Sequence, residues 1–160
     1  MRIAIGADHL GFPLKEAVKQ HLEELGHQAV DYGVHVTSPV DYPDVAIEVA
    51  RAVAAGTYDR AILVCGTGIG MAITANKVPG VRAASVADPY SAERARKSNN
   101  AQVLCLGARV VAPHVAAIIV DHWLEAEFQG GESVRKVAKI AALDGSGSPD
   151  DPATSGGTPH

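Results

Sequence analysis

Five short apolar runs, separated by longer amphipathic stretches, restrict this chain to a parallel sheet covered by helices. The runs fall at 2–6, 28–32, 60–65, 82–86 and 102–106. Each is too short for a helix and mostly apolar on both faces, as strands buried on both sides are. Parallel neighbours need a long crossover, and the stretches between the runs carry helical periodicity. The expected fold is therefore a layered α/β domain. In such sheets the loops at the carboxyl ends of the strands hold the ligand.

The helices are punctuated by proline at their starts and glycine at their ends. Pro13 opens one whose apolar face reads Leu14, Val18, His21, Leu22 and Leu25, with Gly26 placed as its C-terminal cap. A second follows Asp41-Tyr42-Pro43, uses Val45, Val49, Ala52 and Val53, and stops at Gly56. Asp88 before Pro89 reads as an N-cap. The stretch 111–128 carries Val115, Ile118, Ile119 and Trp123 at helical spacing, and a shorter helix is expected over 133–143.

With 160 residues, 47% of them apolar, the chain supports one domain, drawn over 1–143. The remainder, 144–160, is mostly Gly, Ser, Pro and Asp with almost nothing to bury, which predicts a flexible tail. A net charge of −4 provides no general field for polyanions, so nucleic acid and anionic membranes are poor partners. The N-terminus enters a strand pattern at once and no long apolar run follows, which makes the cytoplasm the expected location. Cys65 and Cys105 match neither a disulfide framework nor a zinc spacing, and are expected as reduced thiols.

The most informative segment is Cys65-Gly66-Thr67-Gly68-Ile69-Gly70, at the end of the third run and opening a helix expected over 69–77. Its glycines let backbone amides approach a ligand, and the helix N-terminus favours an oxyanion there. A thiol in that place is a usable base or nucleophile, or else a structural cysteine at a strand end. A cysteine phosphatase loop needs arginine six positions on, where Met71 stands. A P-loop needs Lys-Ser/Thr after its last glycine, whereas Met71-Ala72 follows Gly70. A dinucleotide fingerprint needs two residues between its last glycines, and only Ile69 separates Gly68 from Gly70. Asp8 and His9 follow the first run at the same sheet edge and could bind hydroxyls or phosphate; the other role for Asp8 is a cap of the first helix, for which it stands several residues early. Ser98-Asn99-Asn100 and Gly107-Ala108-Arg109 flank the fifth run.

Together with Asp41-Tyr42-Pro43, Asn76-Lys77-Val78-Pro79-Gly80, Tyr90-Ser91-Ala92 and Phe128-Gln129-Gly130-Gly131, these segments make residues 1–143 similar to the type B ribose-5-phosphate isomerase family. That family also includes galactose-6-phosphate isomerase subunits and tetrose-phosphate isomerases. The resemblance implies a three-layer, flavodoxin-like (Rossmann-like) fold with a five-stranded parallel sheet. It also implies a homodimer, often paired into a tetramer, with active sites shared between subunits. The reaction implied is an aldose–ketose isomerisation through an enediolate, without metal or organic cofactor. Cys65 would move the proton, Thr67 relay one, and the amides of Gly66, Gly68, Ile69 and Gly70 stabilise the oxyanion. Asp8 and Asn99 would hold sugar oxygens, and His9 and Arg109 phosphate.

Two positions depart from the pattern. Ser98 stands where many ribose-phosphate members carry a ring-opening histidine. Glu132 and Lys136, with Arg135 adjacent, stand where two phosphate-binding arginines are common. The expected substrate is ribose 5-phosphate, converted to ribulose 5-phosphate. The alternatives are a tetrose 4-phosphate, which cannot close a furanose and needs no ring-opening group, or a regulator that binds a sugar phosphate without turning it over.

Overall fold

Strand residues alternate between two apolar environments, and this alternation builds the domain. In the computed structural model, which describes residues 1–145, the five runs form β1 (Arg2–Ala7), β2 (Gln28–Asp31), β3 (Arg60–Cys65), β4 (Ala83–Ser85) and β5 (Val103–Gly107). They alternate with helices α1 (Phe12–Glu24), α2 (Tyr42–Ala54), α3 (Ile69–Asn76), α4 (Pro89–Lys97), α5 (Pro113–Glu125) and α6 (Glu132–Leu143). Ile3, Ile5, Ile62, Val64, Leu104 and Leu106 face α1, α4 and α5. Ala4, Leu63, Cys65, Val103 and Cys105 face α2 and α3. Each large side chain fully buried in these layers contributes about 1.5–3 kcal/mol.

All strand pairs are parallel, in the order β2-β1-β3-β5-β4. The three-layer Rossmann-like architecture with five parallel strands is the one expected. A flavodoxin sheet runs 2-1-3-4-5, whereas here β5 lies between β3 and β4. The composition of the two strands accounts for this. β5 is Val-Leu-Cys-Leu-Gly and wholly buried, while β4 is three residues of Ala-Ala-Ser, partly exposed, and suits an edge.

The helix faces differ from the periodicity reading in detail. On α1, Leu25 lies past the helix and is exposed, while Lys15 is buried beside Leu14, Val18 and Leu22. On α5, Ile118 is exposed and the buried stripe is Ala116, Ile119, Val120 and Trp123. On α2, Ala46 and Ala50 are buried, with Ala52 only partly so. Alanines permit close approach to a sheet, a role that a count of large apolar residues overlooks. Asp88 caps α4 as expected, accepting from Ser91 N at 2.7 Å.

α6 buries Ala138 alone and exposes Val134, Ile140 and Leu143. Beyond it, Gly80 N donates to Asp144 Oδ2 at 3.0 Å. Most of the expected tail, residues 146–160, lies outside the described residues. No helix among the described residues is long and apolar enough to cross a membrane.

At the amino edge of the sheet, the buried Arg60 closes the end of α5. It donates to Trp123 O and Leu124 O at 2.8 Å, and to Ala126 O and Glu127 Oε1 at 2.9 Å. The first three are carbonyls at the helix end that the helix cannot satisfy itself. Arg60→Met should therefore lower stability by about 3 kcal/mol, read from the urea midpoint. A loss below about 1 kcal/mol would mean that water replaces the guanidinium without penalty.

Candidate active site

Three strands deliver the candidate residues to one edge. Cys65 ends β3, opposite Gly107 of β5, and β1 ends beside it at Ala7. Gly68 then turns back with φ +81°, a left-handed conformation that serves as the N-cap of α3. This turn brings Gly68 N–H to 3.1 Å from Cys65 Sγ, so a backbone donor points at the sulfur. Ile69 N donates to Thr67 Oγ1 at 3.3 Å, and Thr67 is exposed. The thiol, the hydroxyl and the first amides of α3 thus share one turn.

The β5 loop is laced to this turn. Ala108 N donates to Cys65 O at 2.9 Å and Arg109 N to Gly66 O at 3.0 Å, which brings the exposed Arg109 alongside the thiol's loop. Cys105, on the same face of β5, is wholly buried, and burial pushes its thiol far above the ordinary range. It is inert as an acid or base.

After β1, Asp8 is buried and accepts from Gly11 N at 2.9 Å, so its carboxylate closes the turn before α1 but does not cap the helix, whose N-cap is Gly11. It also lines a cleft of ≈ 460 Å³ with His9, Leu10, Val40, Asp41 and Tyr42. Val40 N donates to His9 Nδ1 at 3.2 Å. That bond places the proton of a neutral His9 on Nε2, leaving a donor for an anionic oxygen.

Tyr42 received no role from the sequence, where it only marked a helix start. A Cβ on Gly70 would fall 2.4 Å from Tyr42 Cζ, so this ring lies directly on the first turn of α3 and joins the cleft to the Cys65 loop. The signal in the sequence was Gly70 itself, a glycine inside a helix with no turn to make.

The segment from β2 to α2 that carries Val40 and Tyr42 is anchored by a buried charge. Lys15 Nζ donates to Asp31 Oδ1 and Oδ2 at 2.9 and 2.8 Å and to Val34 O at 2.6 Å. Gly33 N adds a bond to Asp31 at 2.8 Å. Burial alone would raise the Asp31 carboxyl, but Lys15, Gly33 and Lys19 together hold it below its usual value.

Ser98, Asn99, Arg135 and Lys136 are not part of this edge. Asn99 precedes β5, whose Val103 pairs with Ala61 at the start of β3, whereas Cys65 pairs with Gly107 at the end. Four residues of strand, about 13 Å, separate the two edges. Asn99 lines a second cleft of ≈ 480 Å³ with Asn76, Arg82, Arg94 and Ile140. Arg135 and Lys136 are exposed on α6. Cys65, Thr67, the glycine loop, Asp8, His9 and Arg109 therefore gather at the carboxyl edge, whereas Ser98 and Asn99 lie toward the opposite end of the sheet and Arg135 and Lys136 on α6.

Known proteins resemble the chain over most of its length. Residues 3–140 match the family model described as Ribose/Galactose Isomerase. The D-erythrulose-4-phosphate isomerase of Pectobacterium atrosepticum is 53% identical over 142 residues, covering 88% of this chain and 93% of its own. The ribose-5-phosphate isomerase B of Escherichia coli is 45% identical over 143 residues, covering 89% and 96%. The solved ribose-5-phosphate isomerase B of Clostridium thermocellum superposes with a TM-score of 0.89 at 47% identity, covering 91% and 98%. The chain belongs to the ribose/galactose isomerase family, and by class it is an aldose–ketose isomerase.

Two outcomes test the architecture of this edge. Gly70→Ala should displace the Tyr42 ring and cost about 2 kcal/mol or more, and Tyr42→Ala in the same chain should recover most of that loss; additive losses would show that the two do not touch. Because the folded Asp31 carboxyl lies below its unfolded value, its contribution is whole at neutral pH and is lost as pH falls through about 4 and below. Asp31→Asn should flatten the acid limb of stability against pH, measured from urea midpoints. An unchanged slope would remove Asp31 from the acid transition.

Proposed function

We propose that the chain interconverts ribose 5-phosphate and ribulose 5-phosphate with Cys65 as the base. The observation that carries this reading is the turn in which Gly68 N–H meets Cys65 Sγ at 3.1 Å, beside the Asp8–His9 cleft. The thiolate takes the proton from carbon 2 of the open-chain aldose. The electron pair forms the carbon 1–carbon 2 double bond, and negative charge develops on oxygen 1. Amides of Gly68, Ile69 and Gly70 are the donors for that oxyanion, at the positive end of α3. The Thr67 hydroxyl relays the proton from oxygen 2 to oxygen 1, and the thiol returns its proton to carbon 1. His9 and Arg109 hold phosphate, while Asp8 holds a hydroxyl.

The site is completed by a second copy of the chain. The separation of Ser98, Asn99, Arg135 and Lys136 from Cys65 supports a homodimer with two shared sites, and the sparse burial of α6 supports a contact there. Pairing of dimers into a tetramer extends the same proposal. Residues 1–143 act as one catalytic domain. The setting is the cytoplasm, where two free thiols stay reduced.

Cys65→Ala should leave fold and dimer mass intact while abolishing exchange of the carbon 2 proton with solvent. Full turnover in that variant would remove Cys65 as the base.

One observation favours a second substrate, D-erythrulose 4-phosphate and its aldose partner. Ser98 Oγ accepts from Arg94 Nε at 3.0 Å, so position 98 supplies no imidazole to open a furanose. Specificity constants for ribose 5-phosphate, the substrate whose ring must open, and erythrulose 4-phosphate separate the readings. Ser98→His should raise the ratio of the pentose constant to the tetrose constant, and an equal effect on both would sink the ring-opening argument.

A further inference from the structure

One departure from the family pattern, Ser98, touches a guanidinium, and the other, Glu132, follows three residues after a second group that meets it. Arg94 sits one helical turn before Ser98 on α4, and its Nε and Nη2 donate to Ser98 Oγ at 3.0 and 2.5 Å. Nη2 also lies 3.5 Å from Gln129 Oε1, in the segment that leads to Glu132. That segment is fixed in turn, because Gln129 N donates to Lys97 O at 3.1 Å. We propose that Arg94 binds the substrate's phosphate in the active site of a second copy of the chain, aimed by Ser98 and delivered together with Asn99. The inference rests on the shared-site reading above and names the group that replaces the arginine absent at position 132.

The geometry favours a phosphate over a hydroxyl. Arg94, Arg82 and Asn99 line one ≈ 480 Å³ cleft whose described lining includes no carboxylate. The nearby Glu93 is engaged elsewhere, by Lys97 Nζ at 2.5 Å. Arg82 is committed through Nε to Asn100 O at 2.9 Å. Ser98 is a neutral acceptor, so it orients the Arg94 fork without compensating its charge. It also leaves the Nη1 protons of Arg94 for a ligand. A guanidinium fork matches two phosphate oxygens, whereas a sugar hydroxyl is already suited by the Asn99 amide. A carboxylate at position 98 would have formed a closed ion pair instead, and a histidine there would offer no comparable acceptor for two donors.

The test uses the full-length protein. Arg94→Gln should raise KM for the sugar phosphate and the inhibition constant for inorganic phosphate about tenfold each, with kcat changed much less, and Arg94→Lys should recover part of the loss. Arg94→Gln and Cys65→Ala chains carrying different tags are then co-expressed and the hybrid purified. If Arg94 acts across the interface, one site in each hybrid pairs a native Cys65 half with a native Arg94 half, and activity returns with wild-type KM. Unchanged constants in Arg94→Gln would overturn the phosphate role. A raised KM with no recovery in the hybrid would overturn its placement in the second copy. Should the wild type turn over no sugar phosphate, the function proposed above fails separately, and calorimetric titration with inorganic phosphate decides this inference. Binding weakened about tenfold by Arg94→Gln upholds it, and binding that is absent or unchanged overturns it.

Discussion

The parallel pairing of β3 with β5 is the constraint from which the site follows. Its register ends with Cys65 opposite Gly107, so the two loops that leave these strands start side by side. The bonds from Ala108 N and Arg109 N to the carbonyls of Cys65 and Gly66 continue the ladder past the sheet. The thiol and the backbone that carries Arg109 are thereby fixed on one rigid edge rather than on independent loops, and rigid support is what a proton transfer over a short distance requires. At the other end of the same ladder, Arg60 ties β3 to α5, so the two edges are held at a set separation.

Much of this was legible in the residues. The five strands could be placed because parallel strands buried on both sides leave a continuous apolar run. Asp88 could be assigned as a cap because its partner lies three residues away, within local reach. What could not be read depends on groups that only the fold brings together. Lys15 looks like a surface cation until Asp31 and Val34 O, distant in sequence, close around it. The position of β4 outside β5 depends on which strand buries more apolar surface, a comparison that local periodicity does not make. Tyr42 was hidden because its significance lies in the space above Gly70.

The division of the candidate residues shows the same limit. A resemblance transfers residues to positions, but not positions to one chain. Asp8, His9, Cys65 and Arg109 follow strand ends, whereas Asn99 precedes a strand start, and polarity along the chain alone separates them. Once the strands are known to be parallel, this separation is a matter of topology and is insensitive to side-chain detail.

The short edges of the sheet carry a consequence of their own. β2 has four residues and β4 three, neither fully buried, so neither presents the long unpaired row of amides and carbonyls that a further strand needs. The fold therefore disfavours joining copies by extending one sheet into the next. The homodimer proposed above would instead use helix side chains, such as Ile69 and Ile73 of α3 or Val134 and Ile140 of α6, which are exposed in the single chain. Contacts of that kind are specified by the shape of particular residues, so assembly can close on itself instead of propagating as a fibre.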